Sequence, residues 1–225
     1  MNIWILFGAF ALLSYLISNR LESKFKKYSK IPMNYGMTGK DVAEKMLHDN
    51  DIYDVQVVSV KGTLTDHYNP ANKTINLSED VYYGNSVAAA AVAAHETGHA
   101  VQHSTAYSWL QMRSSLVPIV SFASHWVQWV LLAGILLVNT FPNLLLIGIC
   151  LFAMTTLFSI ITLPVEVNAS KRALVWLNTH NVTTPTTQNY AEDALRWAAY
   201  TYFIAALTSL ATLVYYIFIY LGRRD

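Results

Sequence analysis

The sequence predicts a mainly α-helical, multi-pass membrane protein with about four transmembrane helices and a small α+β portion on the cytoplasmic side. Hydrophobic residues make up 54% of the 225 residues and charged residues only 13%, against about 25% charged residues in soluble globular chains. Four long apolar runs are separated by more polar segments. The net charge of +1 gives no basic surface for a nucleic acid, so the lipid bilayer is the expected environment.

The first apolar run, residues 3–17, is predicted to be an uncleaved membrane anchor that occupies residues 1–19. No basic residue precedes the run, whereas a cleavable signal peptide carries its positive charge before the apolar core. Five basic residues follow the run instead: Arg20, Lys24, Lys26, Lys27 and Lys30. This arrangement indicates that the C-terminal end of the anchor is cytoplasmic.

Residues 20–115 are predicted to form the cytoplasmic α+β portion. Thr38 is a suitable cap for a helix that runs to about Asn50, and β-branched segments at 54–60 and 73–77 predict two strands. The turn-rich segment 66–72 lies between them. An edge strand or hairpin at this place would hold an extended peptide substrate, and the alternative is a plain surface turn.

The remaining apolar runs predict a transmembrane hairpin over 116–163 and a last transmembrane helix over 197–225, with a second cytoplasmic segment over 164–196. If the N-terminus is outside, the two cytoplasmic segments carry ten and three Lys and Arg residues. The outer side keeps only Arg223 and Arg224. This bias predicts a multi-pass protein of the cell membrane whose functional site faces the cytoplasm.

An H-E-x-x-H motif, formed by His95, Glu96 and His99, predicts a metal-binding site. Ser86 or Asn85 can cap a helix here, and no proline occurs over 87–117, so one continuous helix is predicted. Histidines four residues apart lie on one helical face and can bind a single zinc ion. Glu96 then lies beside the metal, where a carboxylate can act as the general base of peptide hydrolysis.

A catalytic zinc site keeps three protein ligands and one open position, so a third ligand must come from elsewhere. His103 lies about 12 Å along the helix axis from His95, too far to share one metal. Gln102 and Thr105 exclude the metzincin pattern, which places Gly and His there. The other candidates are His125, Glu166, His180, Glu192, Asp193 and Asp225. Among them Glu166 is favoured, because the predicted transmembrane hairpin returns the chain to the side it left.

Four separate motifs, at residues 66–70, 75–82, 93–103 and 163–170, resemble those of the YugP-like neutral zinc metallopeptidases of bacterial membranes. The resemblance extends more distantly to the HtpX-type membrane proteases. It implies a gluzincin with a zincin-like fold, in which His95, His99 and Glu166 bind one Zn²⁺ per chain. Glu96 is the implied general base.

Asn168 and Ser170, which follow Glu166 in the chain, are expected to orient the metal ligands. The HtpX-type proteases tend to carry Asp where this chain has Ser170. A carboxylate partner would therefore have to come from elsewhere, and the metal would exchange more easily.

These observations predict a zinc-dependent endopeptidase that acts on peptide or protein substrates. The donors that contact the substrate or its transition state stay open among His67, Tyr68 and His180. An alternative is a zinc-stabilised membrane scaffold or chaperone partner without proteolytic activity. A further alternative, an intramembrane protease, is disfavoured by the polar residues that follow the motif. Cys150 is the only cysteine, which excludes a disulfide within the chain and a cysteine-type zinc site.

Overall fold

The computed structural model describes residues 3–33 and 36–222 and is mostly helical. Its elements are, in chain order, α1 (Ile3–Tyr28), α2 (Gly39–Asp49), β1 (Gln56–Val60), β2 (His67–Asn69), β3 (Thr74–Ser78), α3 (Glu79–Tyr82), α4 (Val87–Ser104), α5 (Ser108–Leu136), α6 (Pro142–Thr179) and α7 (Pro185–Gly222). The mainly α class with a small sheet is confirmed. Arg223, Arg224 and Asp225 lie outside the described residues.

Four helices of the described chain, α1, α5, α6 and α7, are long and apolar enough to cross a membrane. The helices α5 and α6 form a hairpin that closes tightly, since a Cβ at Gly134 would lie 2.6 Å from the Cα of Leu145. The helix α1 packs against α7. Its Tyr28 hydroxyl and Lys24 ammonium both bind the Asp193 carboxylate, which fixes the anchor helix to the last helix.

Two helix boundaries differ from the sequence prediction. The motif helix α4 ends at Ser104 instead of continuing to residue 117. Hydroxyls of Ser104 and Thr105 bind the Val101 carbonyl, and Ala106 adopts a left-handed backbone with φ of 50°. Side chains that bind nearby backbone groups compete with helical hydrogen bonds, so the helix stops and α5 begins in a new direction.

Helix α6 is longer than the sequence predicts. The predicted transmembrane hairpin ends at residue 163, but α6 continues through Pro164 and Glu166 to Thr179. Long apolar helices tolerate an internal proline when neighbouring helices support them. Three helices, α4, α5 and α7, pack against α6. Glu166 therefore lies within a continuous, supported helix.

The small sheet has the strand order β1-β3-β2. The strands β1 and β3 are parallel, and β2 and β3 are antiparallel. The predicted cap of α2 is confirmed, because the Thr38 hydroxyl accepts from the Asp41 amide and the Asp41 carboxylate accepts from the Thr38 amide. The strand β2 lies in the turn-rich segment 66–72, where the sequence left open an edge strand or hairpin and a plain surface turn. It forms an edge of the sheet beside α4.

The buried core contains almost the whole of α4. Alanines at 88–91, 93 and 94 are at most 4% exposed. Small side chains let neighbouring helices approach closely. The closest approach is at Gly98, where a Cβ would lie 2.6 Å from the carbonyl oxygen of Ala169 in α6. The backbones of α4 and α6 are thus adjacent at the level of the motif.

Candidate metal centre

Three potential metal ligands converge where α4 meets α6. One ligand atom each from His95, His99 and Glu166 lies within 4.8 Å of the others, and this is the one such group of three within the described residues. The Glu166 carboxylate is 3.3 Å from the Nε2 atom of His95 and 3.6 Å from that of His99. Two imidazoles and one carboxylate are the ligand set of a catalytic zinc site.

The second ring nitrogen of each histidine is held by a polar side chain. The Nδ1 atom of His95 lies 3.0 Å from the Ser170 hydroxyl, and the Nδ1 atom of His99 lies 3.0 Å from the Gln102 side-chain oxygen. Such contacts set the tautomer and orientation of a metal-binding histidine. The expectation that Ser170 orients a ligand agrees with this contact, which is made by a hydroxyl rather than a carboxylate.

Gln102 is fully buried and has its own orientation fixed. Its amide nitrogen donates to the Val165 carbonyl and to the Asn168 side-chain oxygen, at 2.8 and 3.0 Å. Its oxygen therefore faces His99, so the Nδ1 atom of His99 is the donor in this pair. The lone pair of the neutral ring then lies on Nε2, directed towards Glu166. Asn168 takes part in this network one step away from the ligand.

The electrostatics of the centre favour a cation. Burial alone would lower the pKa of His99. The protonated ring, however, can donate from Nε2 to Glu166, and this bond together with the neighbouring carboxylates outweighs burial and raises the pKa above its ordinary value. A positive charge between the imidazole and Glu166 is therefore stabilised by the surroundings. A divalent metal ion on Nε2 would supply that charge, so the residues present fit a bound zinc ion.

Glu96 is buried beside the cluster and is held by the sheet. One of its carboxylate oxygens accepts from the backbone amide of Tyr68 in β2, at 3.0 Å. The other oxygen has no hydrogen bond to the described residues. The motif glutamate is thus fixed at one oxygen and available at the other.

A cleft of about 310 Å³ opens onto the cluster. Its residues come from the β2 segment, from α4, from one face of α5, and from α6 and α7. They are Asp66, His67, Tyr68, Pro70, Glu96, His99, Leu110, Arg113, Ser114, Val117, Glu166 and Tyr202. The edge strand and the α5 face both line the cleft, together with Glu96, His99 and Glu166 of the metal centre.

The structure separates the three predicted contact residues. His67 and Tyr68 line the cleft, although the Tyr68 hydroxyl is directed towards His103, 2.8 Å from its Nδ1 atom. His180 caps the end of α6, stacks on Trp176 and lines a different cavity of about 390 Å³. The structure therefore brings His67 and Tyr68 to the cluster and leaves His180 away from it.

Other candidate ligands have partners elsewhere. His125 contacts Trp126 within α5, and Glu192 pairs with Arg196. Asp193 is bound by the first helix, as described above. Asp225 lies outside the described residues.

Sequence reasoning missed two residues of the cleft, Arg113 and Tyr202. Tyr202 is 39% exposed and lines the cleft together with Glu166. Tyr202 lies in an apolar run that carries no motif, so no local signal marks it. Leu110, Arg113 and Val117 are spaced so that they share one face of a helix, but this signal can be used only when the start of α5 is known.

The chain is similar to known proteins over almost its whole length. The family model described as "Putative neutral zinc metallopeptidase" matches residues 3–221. The chain is 43% identical over 213 residues to a Bacillus subtilis (strain 168) protein named "Putative membrane protease YugP". That alignment covers 95% of this chain and 94% of the relative. No solved structure matches the chain significantly.

The Ser170 contact predicts how tightly the centre holds zinc. Ser170→Ala removes the partner of His95 and is expected to weaken zinc binding by about tenfold or more. Ser170→Asp should strengthen binding, because a carboxylate is a stronger acceptor for an imidazole N–H. Competition with a chromophoric chelator measures both affinities.

Ser115→Ala is the matched control, since the exposed Ser115 hydroxyl binds only a carbonyl of its own helix. An unchanged zinc affinity in Ser170→Ala would show that this contact does not support the metal.

Proposed function

The chain belongs to the neutral zinc metallopeptidase family, and on this premise we propose that it is a membrane-bound, zinc-dependent endopeptidase. The observation that carries the proposal is the three-ligand cluster of His95, His99 and Glu166, which faces a cleft and has Glu96 beside it. A gluzincin arrangement of this kind supports hydrolysis of peptide bonds by an activated water.

The residues present would hold one zinc ion through His95, His99 and Glu166. When bound, the metal supplies Lewis-acid chemistry, since it acidifies water and polarises a peptide carbonyl. Ser170 and Gln102 keep the two imidazoles oriented. The buried position of Glu166, 4% exposed, excludes bulk water from the carboxylate side of the centre.

Glu96 is the proposed general base. The Tyr68 amide holds one oxygen of its carboxylate, so the second oxygen is positioned to take a proton from the attacking water. The same group can return the proton to the leaving amine. The amide that orients Glu96 belongs to the edge strand, so the strand proposed to hold the substrate also positions the base.

The edge strand β2 is the proposed platform for an extended peptide. It lies at the border of the sheet and lines the cleft, and edge strands bind peptides through backbone hydrogen bonds without reading the sequence. His67 and Tyr68, which lie on β2, are retained as proposed substrate contacts. His180 lies outside the cleft, so its position does not support the predicted contact with the substrate.

The scaffold alternative requires a closed zinc site. Structural zinc sites carry four protein ligands, and the described residues offer three at this centre. The open cleft beside the cluster favours an enzyme.

Replacement of the base separates zinc binding from hydrolysis. Glu96→Gln keeps the shape and the Tyr68 contact, so it should retain stoichiometric zinc. It should also lose about 10²–10⁴-fold in activity, the usual contribution of general-base catalysis. Casein cleavage by detergent-purified protein and zinc content by elemental analysis, on the same samples, measure the two properties.

The ligand variants serve as the comparison set. His95→Ala, His99→Ala and Glu166→Ala are each expected to lose both zinc and activity. Cleavage by Glu96→Gln at the wild-type rate would refute the assignment of the base, and full zinc with full activity in Glu166→Ala would refute the third ligand.

We also propose that α1, α5, α6 and α7 span the cell membrane with the metal centre on the cytoplasmic side. The name of the relative, the apolar length of the helices and the excess of basic residues on one side support this arrangement. The proposed membrane portions are 1–19, 116–163 and 197–225, and the proposed cytoplasmic portions are 20–115 and 164–196.

Single cysteines test the orientation in a Cys150→Ser background. Thr140 lies in the α5–α6 turn and Lys61 follows β1, and both are exposed. A membrane-impermeant thiol reagent should label Thr140→Cys on intact cells and Lys61→Cys only after lysis. The reverse pattern would place the metal centre outside.

A further inference from the structure

We propose that Arg113 binds a carboxylate of the substrate, so that the enzyme prefers peptides that carry a carboxylate close to the scissile bond. The inference rests on the proposed peptidase function and adds a substrate class to it. Arg113 lies on α5 and lines the same cleft as the edge strand and the metal ligands His99 and Glu166.

The Arg113 guanidinium has a cation–π contact but no hydrogen-bond or ion-pair partner within the described chain. Its Nε atom is buried without any hydrogen bond, and none of the described acidic side chains forms an ion pair with it. Its nearest ring contact is Phe158, 5.8 Å away. In contrast, Arg172 binds Asn168 and Arg196 binds Glu192. A buried polar group without a partner is costly, which indicates that a ligand completes this one.

The position of Arg113 on its helix directs it into the cleft. Leu110, Arg113, Ser114 and Val117 share one helical face and all line the cleft. The charged group is therefore flanked by two apolar side chains one turn away on either side. A substrate side chain that packs between Leu110 and Val117 would bring its terminal group to the guanidinium.

The carboxylates of the cleft bind other groups, and none of them forms an ion pair with Arg113. Glu166 contacts the two histidines, and Glu96 accepts from the Tyr68 amide. Asp66 accepts from both the amide and the hydroxyl of Ser78. A bound molecule can therefore supply the counter-ion of Arg113.

A carboxylate is the anion that a peptide supplies, and it matches the planar fork of a guanidinium. It has two sources, the side chain of Asp or Glu and the free C-terminus. Both present the same chemistry to Arg113, and peptides can be designed to separate them.

Direct binding tests the inference without hydrolysis. Zinc-loaded Glu96→Gln protein in detergent is titrated with four fluorescent octapeptides of one sequence. The central residue is Glu or Gln, and the C-terminus is a free acid or an amide. Fluorescence anisotropy should show at least one carboxylate-bearing peptide bound about tenfold or more tightly than the peptide with Gln and an amide.

Variants then assign the preference to Arg113. Adding Arg113→Gln should abolish the difference between the peptides, and Arg113→Lys should keep part of it because the charge remains. Adding Arg196→Gln, which removes an exposed guanidinium paired with Glu192, should leave the difference unchanged.

The outcomes are distinct. A preference that follows the central Glu assigns the side-chain source, and one that follows the free acid assigns the C-terminus. Equal binding of all four peptides overturns the inference, and so does the absence of binding by any of them. Either result is expected if the partner of Arg113 is a lipid phosphate. A preference that survives Arg113→Gln also overturns it. If the preference is present but wild-type protein cleaves none of the peptides, the proposed peptidase function fails and the carboxylate site stands.

Discussion

The close contact between α4 and α6 is the constraint on which the site depends. Gly98 stands immediately before His99, and a Cβ there would lie 2.6 Å from the Ala169 carbonyl oxygen. The absence of a side chain lets the two backbones meet, so the Glu166 carboxylate reaches both motif histidines. The same contact places Ser170 beside His95 and brings the Gln102 amide to the Val165 carbonyl. One backbone approach therefore positions the ligands together with the groups that orient them.

A second feature is the hydrogen-bond network that joins polar side chains in an otherwise apolar chain. Buried polar side chains near the centre are joined in one network, from His99 through Gln102 and Asn168 to Arg172. Satisfied networks of this kind hold a single geometry, because each broken bond would leave a buried group unpaired. Arg113 is the exception in the cleft, because its buried Nε atom has no hydrogen-bond partner. This difference separates Arg113, for which a ligand is proposed, from the polar side chains that only support the structure.

The sequence predicted much of this arrangement because helical periodicity is local. Spacing alone places His95 and His99 on one face, and the two apolar runs between the motif and Glu166 return the chain to the side of the motif. The failures have non-local causes. Helix α6 continues through Pro164 because neighbouring helices support it. The sequence left an edge strand and a plain turn open at 66–72, because the pairing of β2 with β3 decides between them. Arg113 and Tyr202 reach the cleft only through the packing of α5 and α7, which no spacing within the chain encodes.

The most direct test of the account is the position of zinc in a crystal structure of the reconstituted protein, located by anomalous scattering at the zinc edge. The account predicts one zinc ion per chain, about 2.0–2.2 Å from the Nε2 atoms of His95 and His99 and from a carboxylate oxygen of Glu166. A water molecule should occupy the fourth position and face Glu96. Zinc at another place, or a fourth protein ligand that closes the site, would contradict the account.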